Sequence, residues 1–186
     1  MRSFVDNQKR RTAMKTLTNT LAAALLMIGT SAIAHAAGPT DAQIAAIVVA
    51  ANTADIEAGK LAEGKASNPD VKAFAKQMVF DHTGVNQQAV ALVTKLHVTP
   101  QENDTSRSLK KGSDENIASL KRLSGKKFDK AYVDHEVAYH QSVIDALDQT
   151  LIPNAQNAEL KNLLVQVRPA FIAHLEHAKH VQGELK

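Results

Sequence analysis

The sequence predicts an all-α protein in which four long helices lie side by side as a bundle. Three observations predict it. Apolar residues recur at alternating spacings of three and four along four separate stretches. Each stretch is bounded by helix punctuation, with capping residues before it and Gly, Pro or Asn after it. No stretch alternates apolar and polar residues with the period of two that a half-buried strand requires.

All four stretches lie beyond residue 36, because residues 1–36 read as a cleaved secretory signal. Lys9, Arg10, Arg11 and Lys15 make a positive start, Leu21–Ile28 a short apolar run, and Ala34-His35-Ala36 a small-residue cleavage pattern. The run falls well short of the ~20 apolar residues a membrane span needs. Met14 offers a second translation start. Arg10-Arg11 offers a twin-arginine alternative, against which Ala13 stands where Phe is usual. Cleavage near Ala36-Ala37 sends residues 37–186 to the periplasm or the exterior as one domain, with outer-membrane association left open.

The signal also carries the basic charge. The whole chain has 22 basic and 19 acidic side chains, a net charge of +3. Residues 1–36 hold five of the basic groups and one acid, Asp6, so the remainder is close to −1. A chain-wide case for nucleic-acid binding disappears. The local cluster of Lys121, Arg122, Lys126, Lys127 and Lys130 reads as a solvated helix end. There is no cysteine, which excludes disulfides, thiolate metal sites and a lipid-anchored amino terminus. Aromatics are only 4% of residues, so Ala, Leu and Val must fill the core.

The helices follow in order. Thr40 with Gln43 is a capping-box signature that opens the first, over about 41–66. Ser67-Asn68-Pro69-Asp70 closes it and caps the second, about 69–96, with Pro69 in the first-turn slot that Pro tolerates. Val98-Thr99-Pro100 ends that helix. Residues 97–112 are polar and read as loop, and Ser113 caps a short extra helix to about Leu123. Gly125 breaks the chain before the third long helix, about 126–151. Ile152-Pro153-Asn154 separates it from the fourth, about 155–184, which Pro169 should kink or leave with a free Val165 carbonyl. A long connection between the second and third long helices suits a ferritin-like bundle with one crossover. An up-down-up-down bundle is the alternative.

Polar residues interrupt the apolar seams. The second helix presents Val71, Ala75, Met78, His82, Val85, Ala89, Leu92 and Leu96, a heptad-like stripe broken only by the histidine. His140 and His174 break the third and fourth stripes, and Asp55 breaks the first. Glu136 lies one turn before His140. Such groups are costly in a core unless paired, hydrogen-bonded or metal-bound. Counted along flush antiparallel helices, Asp55, His82 and His140 share a level, and His174 falls roughly 6–10 Å away at ~1.5 Å per residue. Three imidazoles and one or two carboxylates make a first shell for a transition metal such as Zn, Cu or Fe. The competing reading is a buried polar network that fixes helix register. His177 flanks the fourth seam within reach of the site, His135 and His180 point outward, and His97 marks a helix end. Tyr132 and Tyr139 are core residues.

Absent motifs narrow the chemistry. There is no Glu-x-x-His pair of the di-iron carboxylate bundles, no His-Glu-x-x-His, no Gly-x-Ser-x-Gly and no Walker loop. No nucleophile–base pair is assembled, so no catalytic residue is assigned and enzymatic activity stays open, leaning toward none.

Three stretches of the sequence carry a resemblance. The first joins Glu57-Ala-Gly-Lys-Leu-Ala62, Asn68-Pro-Asp-Val-Lys-Ala-Phe-Ala75 and Met78-Val-Phe-Asp-His-Thr83. The second joins Ser124-Gly125 and Phe128-Asp-Lys-Ala-Tyr132 to His140, and the third is Arg168-Pro-Ala-Phe-Ile-Ala-His174. Over residues 40–183 they resemble a family of exported bacterial proteins of uncharacterised function, often labelled outer membrane proteins. The resemblance implies a ferritin-like helical-bundle fold and export, with histidines at the positions numbered here 82, 140 and 174. Asp55 stands where that family usually has Glu, and Arg168 where Leu is common. The expectation is an exported cell-envelope bundle that binds a transition metal or serves as a structural or stress-related interaction module. No nucleic-acid partner and no membrane span are expected, and homo-oligomerisation stays open.

Overall fold

The computed structural model describes residues 38–185, and the signal expected over residues 1–36 lies outside them. The described residues are helical, with no strand among them. The elements are α1 (Asp41–Lys65), α2 (Pro69–Lys95), α3 (Asp104–Lys121), α4 (Gly125–Ala146), a π-helical turn (Leu147–Leu151), the short α5 (Ile152–Asn154) and α6 (Ala158–Glu184). None of these helices is long and apolar enough to cross a membrane.

Side chains at the helix ends define the topology. Thr40 and Gln43 form the expected capping box, and Asn68 caps α2 ahead of Pro69. The α1–α2 turn is clasped by Asp129 near the start of α4. Its buried carboxylate accepts the backbone N–H groups of Ser67 and Asn68, both at 2.9 Å, and the Ser67 hydroxyl. At the other end, Asp41 of α1 accepts the N–H groups of Gln156 and Asn157, each at 2.9 Å, just before α6. So α4 starts where α1 ends, and α6 starts where α1 starts. Helices α1 and α6 therefore run one way and α2 and α4 the other. The chain between α2 and α4 must therefore run back along the length of α1.

That crossover is mostly helix, which corrects the expected loop over 97–112 and the short extra helix. Asn103 caps α3 through a reciprocal bond with Ser106, and α3 runs 18 residues. It lies along α1 in the same direction. Asn103 Nδ2 donates to the Gln43 carbonyl near the start (3.2 Å), and Lys65 donates to the Lys121 carbonyl at the end. Ser113 is no cap; it lies mid-helix, its hydroxyl donating to Glu57 Oε2 at 3.3 Å. Gly125 follows with φ of +56°, a left-handed conformation that glycine adopts without strain.

The ends of the last two long helices also depart from expectation. The third long helix does not continue as α-helix to 151 but widens into the π turn at Leu147. Asp148 on that turn accepts two hydrogen bonds from Arg168 of α6, from Nε at 2.5 Å and Nη2 at 2.6 Å. This gives Arg168 a role at a position where the resemblance makes Leu the common residue. Asn157 caps α6, which therefore begins at Ala158 rather than 155. Helix α6 stays helical through Pro169, which sits on its exposed side, where the freed Val165 carbonyl can bond water.

The interior divides into two apolar clusters. One gathers Ile44, Ile47, Val48, Val85, Leu147, Leu164 and Phe171. The other gathers Ala58, Ala62, Phe74, Met78, Phe128, Tyr132 and Ala178. Alanines on α1 permit close approach to α2, and at Gly59 the approach leaves no room for a side chain. A Cβ there would lie 2.8 Å from Val79 Cγ2 and 3.0 Å from the Ala75 carbonyl oxygen. On each long helix, the residues between or at the boundary of the two clusters are the polar ones.

Candidate metal centre

Asp55 on α1, His82 on α2, Glu136 and His140 on α4, and His174 on α6 are all buried, at no more than 3% exposure. The structure brings all five together. Ring centroids are 5.6 Å apart for His82–His140, 5.2 Å for His82–His174 and 5.5 Å for His140–His174. One nitrogen from each ring lies within 4.8 Å of the other two. A second triad, of Asp55, Glu136 and His140, meets the same limit, so His140 joins the two.

His174 is level with the others, not displaced as flush helices would require. Gln182 donates to Asp134 Oδ1 at 2.8 Å and sets the register between α6 and α4. That bond leaves the first turns of α4 projecting past the end of α6. The same stagger aligns residue 174 with residue 140.

The hydrogen bonds settle which nitrogen of each ring is free. His82 Nδ1 meets the amide oxygen of Asn52 at 2.7 Å, so that nitrogen carries the proton. His140 Nδ1 donates to the Glu136 carbonyl at 3.0 Å. His174 Nε2 donates to Asp81 Oδ2 at 2.9 Å. The remaining nitrogens, Nε2 of His82, Nε2 of His140 and Nδ1 of His174, are buried and have no hydrogen-bond partner. Each ring is held by one nitrogen and presents the lone pair of the other. Metal-binding histidines are oriented in this way by acceptors behind them.

Electrostatics keeps these rings neutral. Burial, with the neighbouring His140 and His174, pushes His82 down to about 2. Burial lowers His140 to about 4, against the bond to the Glu136 carbonyl. Burial also lowers His174, opposed by Asp81. The carboxyls shift the other way. Burial raises Asp55 to about 7, and burial together with the Asp55 charge raises Glu136 well above its usual value. At neutral pH the pair therefore retains a proton, and both Asp55 oxygens and Glu136 Oε2 lack a conventional partner. Asp55 also lies 3.6 Å from the free His82 nitrogen.

Points no more than 4.8 Å apart lie within about 2.8 Å of a common centre, against a Zn–N length of ~2.0–2.1 Å. Closing the three rings on an ion asks less than ~1 Å of each. Three neutral imidazoles with a carboxylate suit Zn, Cu or Fe.

The remaining residues singled out from the sequence divide. His177 does not reach the cluster; its Nδ1 lies 3.1 Å from Gln77 Oε1 and its ring meets Phe74 edge-on. His135 is half-buried rather than outward, stacked on Tyr139. His97 is exposed at the end of α2 with a left-handed φ of 53°, and His180 is exposed as expected. Asn52 and Asp81 belong to the site, and sequence reasoning alone does not reach them. Asn52 lies on the same face as Val48 and Asp55, and Asp81 directly precedes His82, so both leave a signal in the sequence.

Among known families, the one described as Domain of unknown function (DUF4142) matches residues 28–181. No curated protein and no solved structure matches the chain.

Proposed function

The chain belongs to this DUF4142 family, and from that premise we propose that it is an exported cell-envelope protein that binds one transition-metal ion in a ferritin-like four-helix bundle. His82, His140, His174 and Asp55 hold the ion, and Glu136 stands beside them. The observation that carries the reading is the set of three partnerless ring nitrogens, each on an imidazole anchored from behind. With no cysteine in the chain, histidine and carboxylate are its strong metal ligands. The single long crossover is the mark of ferritin-like connectivity. Residues 1–36, with their positive start and Ala34-His35-Ala36, support export to the periplasm or beyond.

When bound, the ion supplies a Lewis-acid or redox centre. The protein supplies three neutral nitrogen donors, an ionised Asp55 and a water-excluding shell. Glu136, protonated, holds a proton at the edge of the site. Glu136 is four residues before His140, so the site departs from the Glu-x-x-His pattern of di-iron carboxylate bundles. The reading is therefore one of binding, with no reaction assigned.

The test is elemental analysis of protein purified without chelator and then challenged with Zn, Cu and Fe. About one equivalent of one metal supports the reading, and less than about 0.1 equivalent at micromolar metal removes it. One observation favours a second reading, a metal-free structural or stress-related module. The bonds of His82 to Asn52 and of His174 to Asp81 tie α1 to α2 and α2 to α6, as a register-fixing network would. Under that reading, His82→Leu and His174→Leu leave metal content unchanged at zero.

A further inference from the structure

Beside the histidine cluster lies a hollow of about 110 Å³ with almost wholly hydrocarbon walls. Its floor includes Ile47, Val48, Leu164 and Phe171, the π turn contributes Leu147 and Leu151, and Thr105 and Leu109 of α3 roof it. The hollow opens to solvent at one side, so its apolar walls face water, and a carbon-rich guest would cover them.

Water is a poor occupant. A buried water needs two to four polar partners. The polar groups at the inner wall are already engaged. Asn52 uses its oxygen on His82 and its amino group on the Val48 carbonyl. Tyr139 donates its hydroxyl to the Ala51 carbonyl, and Ser142 at the rim donates to the Ala138 carbonyl. Apart from the hydroxyl of exposed Thr105 at the mouth, the hollow offers carbon walls and no free donor, and such a wall recognises carbon. An apolar cavity of ~150 Å³ accepts benzene or xenon, so this one accepts a guest of that size or smaller. It is too small for a helix face or a stretch of backbone.

We infer that the hollow is a binding site for one small apolar molecule, aromatic or aliphatic, no bulkier than benzene. The site stands on its own walls and does not require a metal. Its position gives it consequence, because Asn52 and Phe171 line it and both touch His82. Phe171 meets the His82 ring edge-on at 5.1 Å. The exposed Thr105 and Ser142 mark the route in from solvent. The π turn, a feature that often accompanies functional sites, shapes one wall.

The experiment uses purified protein in chelator, titrated with benzene and, separately, equilibrated with xenon, while methyl NMR follows Leu147, Leu164 and Val143. Saturable shifts confined to these methyls are expected with both probes. Ala146→Leu fills the hollow from its edge and should weaken binding at least tenfold. Phe80→Ala, at an exposed position on α2 that does not line the hollow, should retain binding, and loss of binding there would overturn the assignment to this hollow. Absence of a saturable shift in the unaltered protein overturns the inference, whether the hollow closes or a neighbouring copy's side chain fills it. Undiminished binding by Ala146→Leu overturns it too. Metal analysis is independent, so failure of this inference leaves the metal reading untouched.

Discussion

Asn52→Ala separates a metal site from a register-fixing network. Asn52 is 1% exposed, and its oxygen is the acceptor that fixes His82 Nδ1–H at 2.7 Å. Truncation removes that acceptor and leaves a buried N–H without a partner, which costs ~1–3 kcal/mol. It also releases the ring whose other nitrogen points at the candidate ion. Loss of such a supporting acceptor typically weakens metal affinity ~10–100-fold, or about 1.4–2.7 kcal/mol. Two assays read the two effects: chemical denaturation in chelator, and competitive zinc titration against a chromophoric chelator. Both should show a loss, and Asn52→Asp, which keeps an acceptor, should recover most of the zinc affinity. A normal stability loss with zinc affinity unchanged within about twofold would refute the argument that Asn52 positions a ligand.

Other perturbations test neighbouring parts of the account. For the metal-free protein, stability should peak near pH 6. Below the ordinary imidazole value of 6.5 the unfolded chain binds up to three protons that the native histidines refuse, so stability falls as pH drops toward the native values of about 4 for His140 and about 2 for His82. Asp55 and Glu136 act oppositely. Raised above 3.8 and 4.5, they stabilise the native state at low pH, and Asp55 loses that contribution as pH rises through about 7. Three sites against two leave a net slope of up to ~1.4 kcal/mol per pH unit on the acid side and a decline on the alkaline side. A melting temperature that climbs steadily to pH 9 in chelator would contradict this. Asp129→Ala strips three hydrogen bonds from the α1–α2 turn and should cost about 3 kcal/mol in urea unfolding. Gly59→Ala should destabilise by ~1–3 kcal/mol despite the better helix propensity of Ala, because its Cβ meets Val79 and the Ala75 carbonyl. A stabilised Gly59→Ala would show that α1 and α2 separate easily.

The helices that bury an apolar stripe are legible in the sequence alone. Thr40, Asn68 and Pro69 announce α1 and α2, and the stripe through Val71, Met78 and Val85 puts His82 inside. Helix α3 is not legible over its first half, because it buries only Ser106, Ser113 and Leu120 and so carries little apolar periodicity. Its cap, Asn103 with Ser106, uses a serine where the familiar capping box has Glu or Gln. The depth of His174 escapes residue counting for a different reason. Counting assumes flush helix ends, whereas the Gln182–Asp134 bond, the π turn and the late start of α6 stagger them. Asp55, His82, Glu136, His140 and His174 can all be named from seam interruptions. The roles of Asn52 and Asp81 cannot, since they depend on which ring nitrogen faces which neighbour.

X-ray absorption at the zinc edge of protein loaded with one equivalent of zinc tests the central claim most directly. The account predicts three imidazole nitrogens at ~2.0–2.1 Å completed by an oxygen donor, with the imidazole count falling in His82→Leu and in His174→Leu. A shell of oxygens alone, or a spectrum unchanged by either substitution, would place the zinc elsewhere and contradict it.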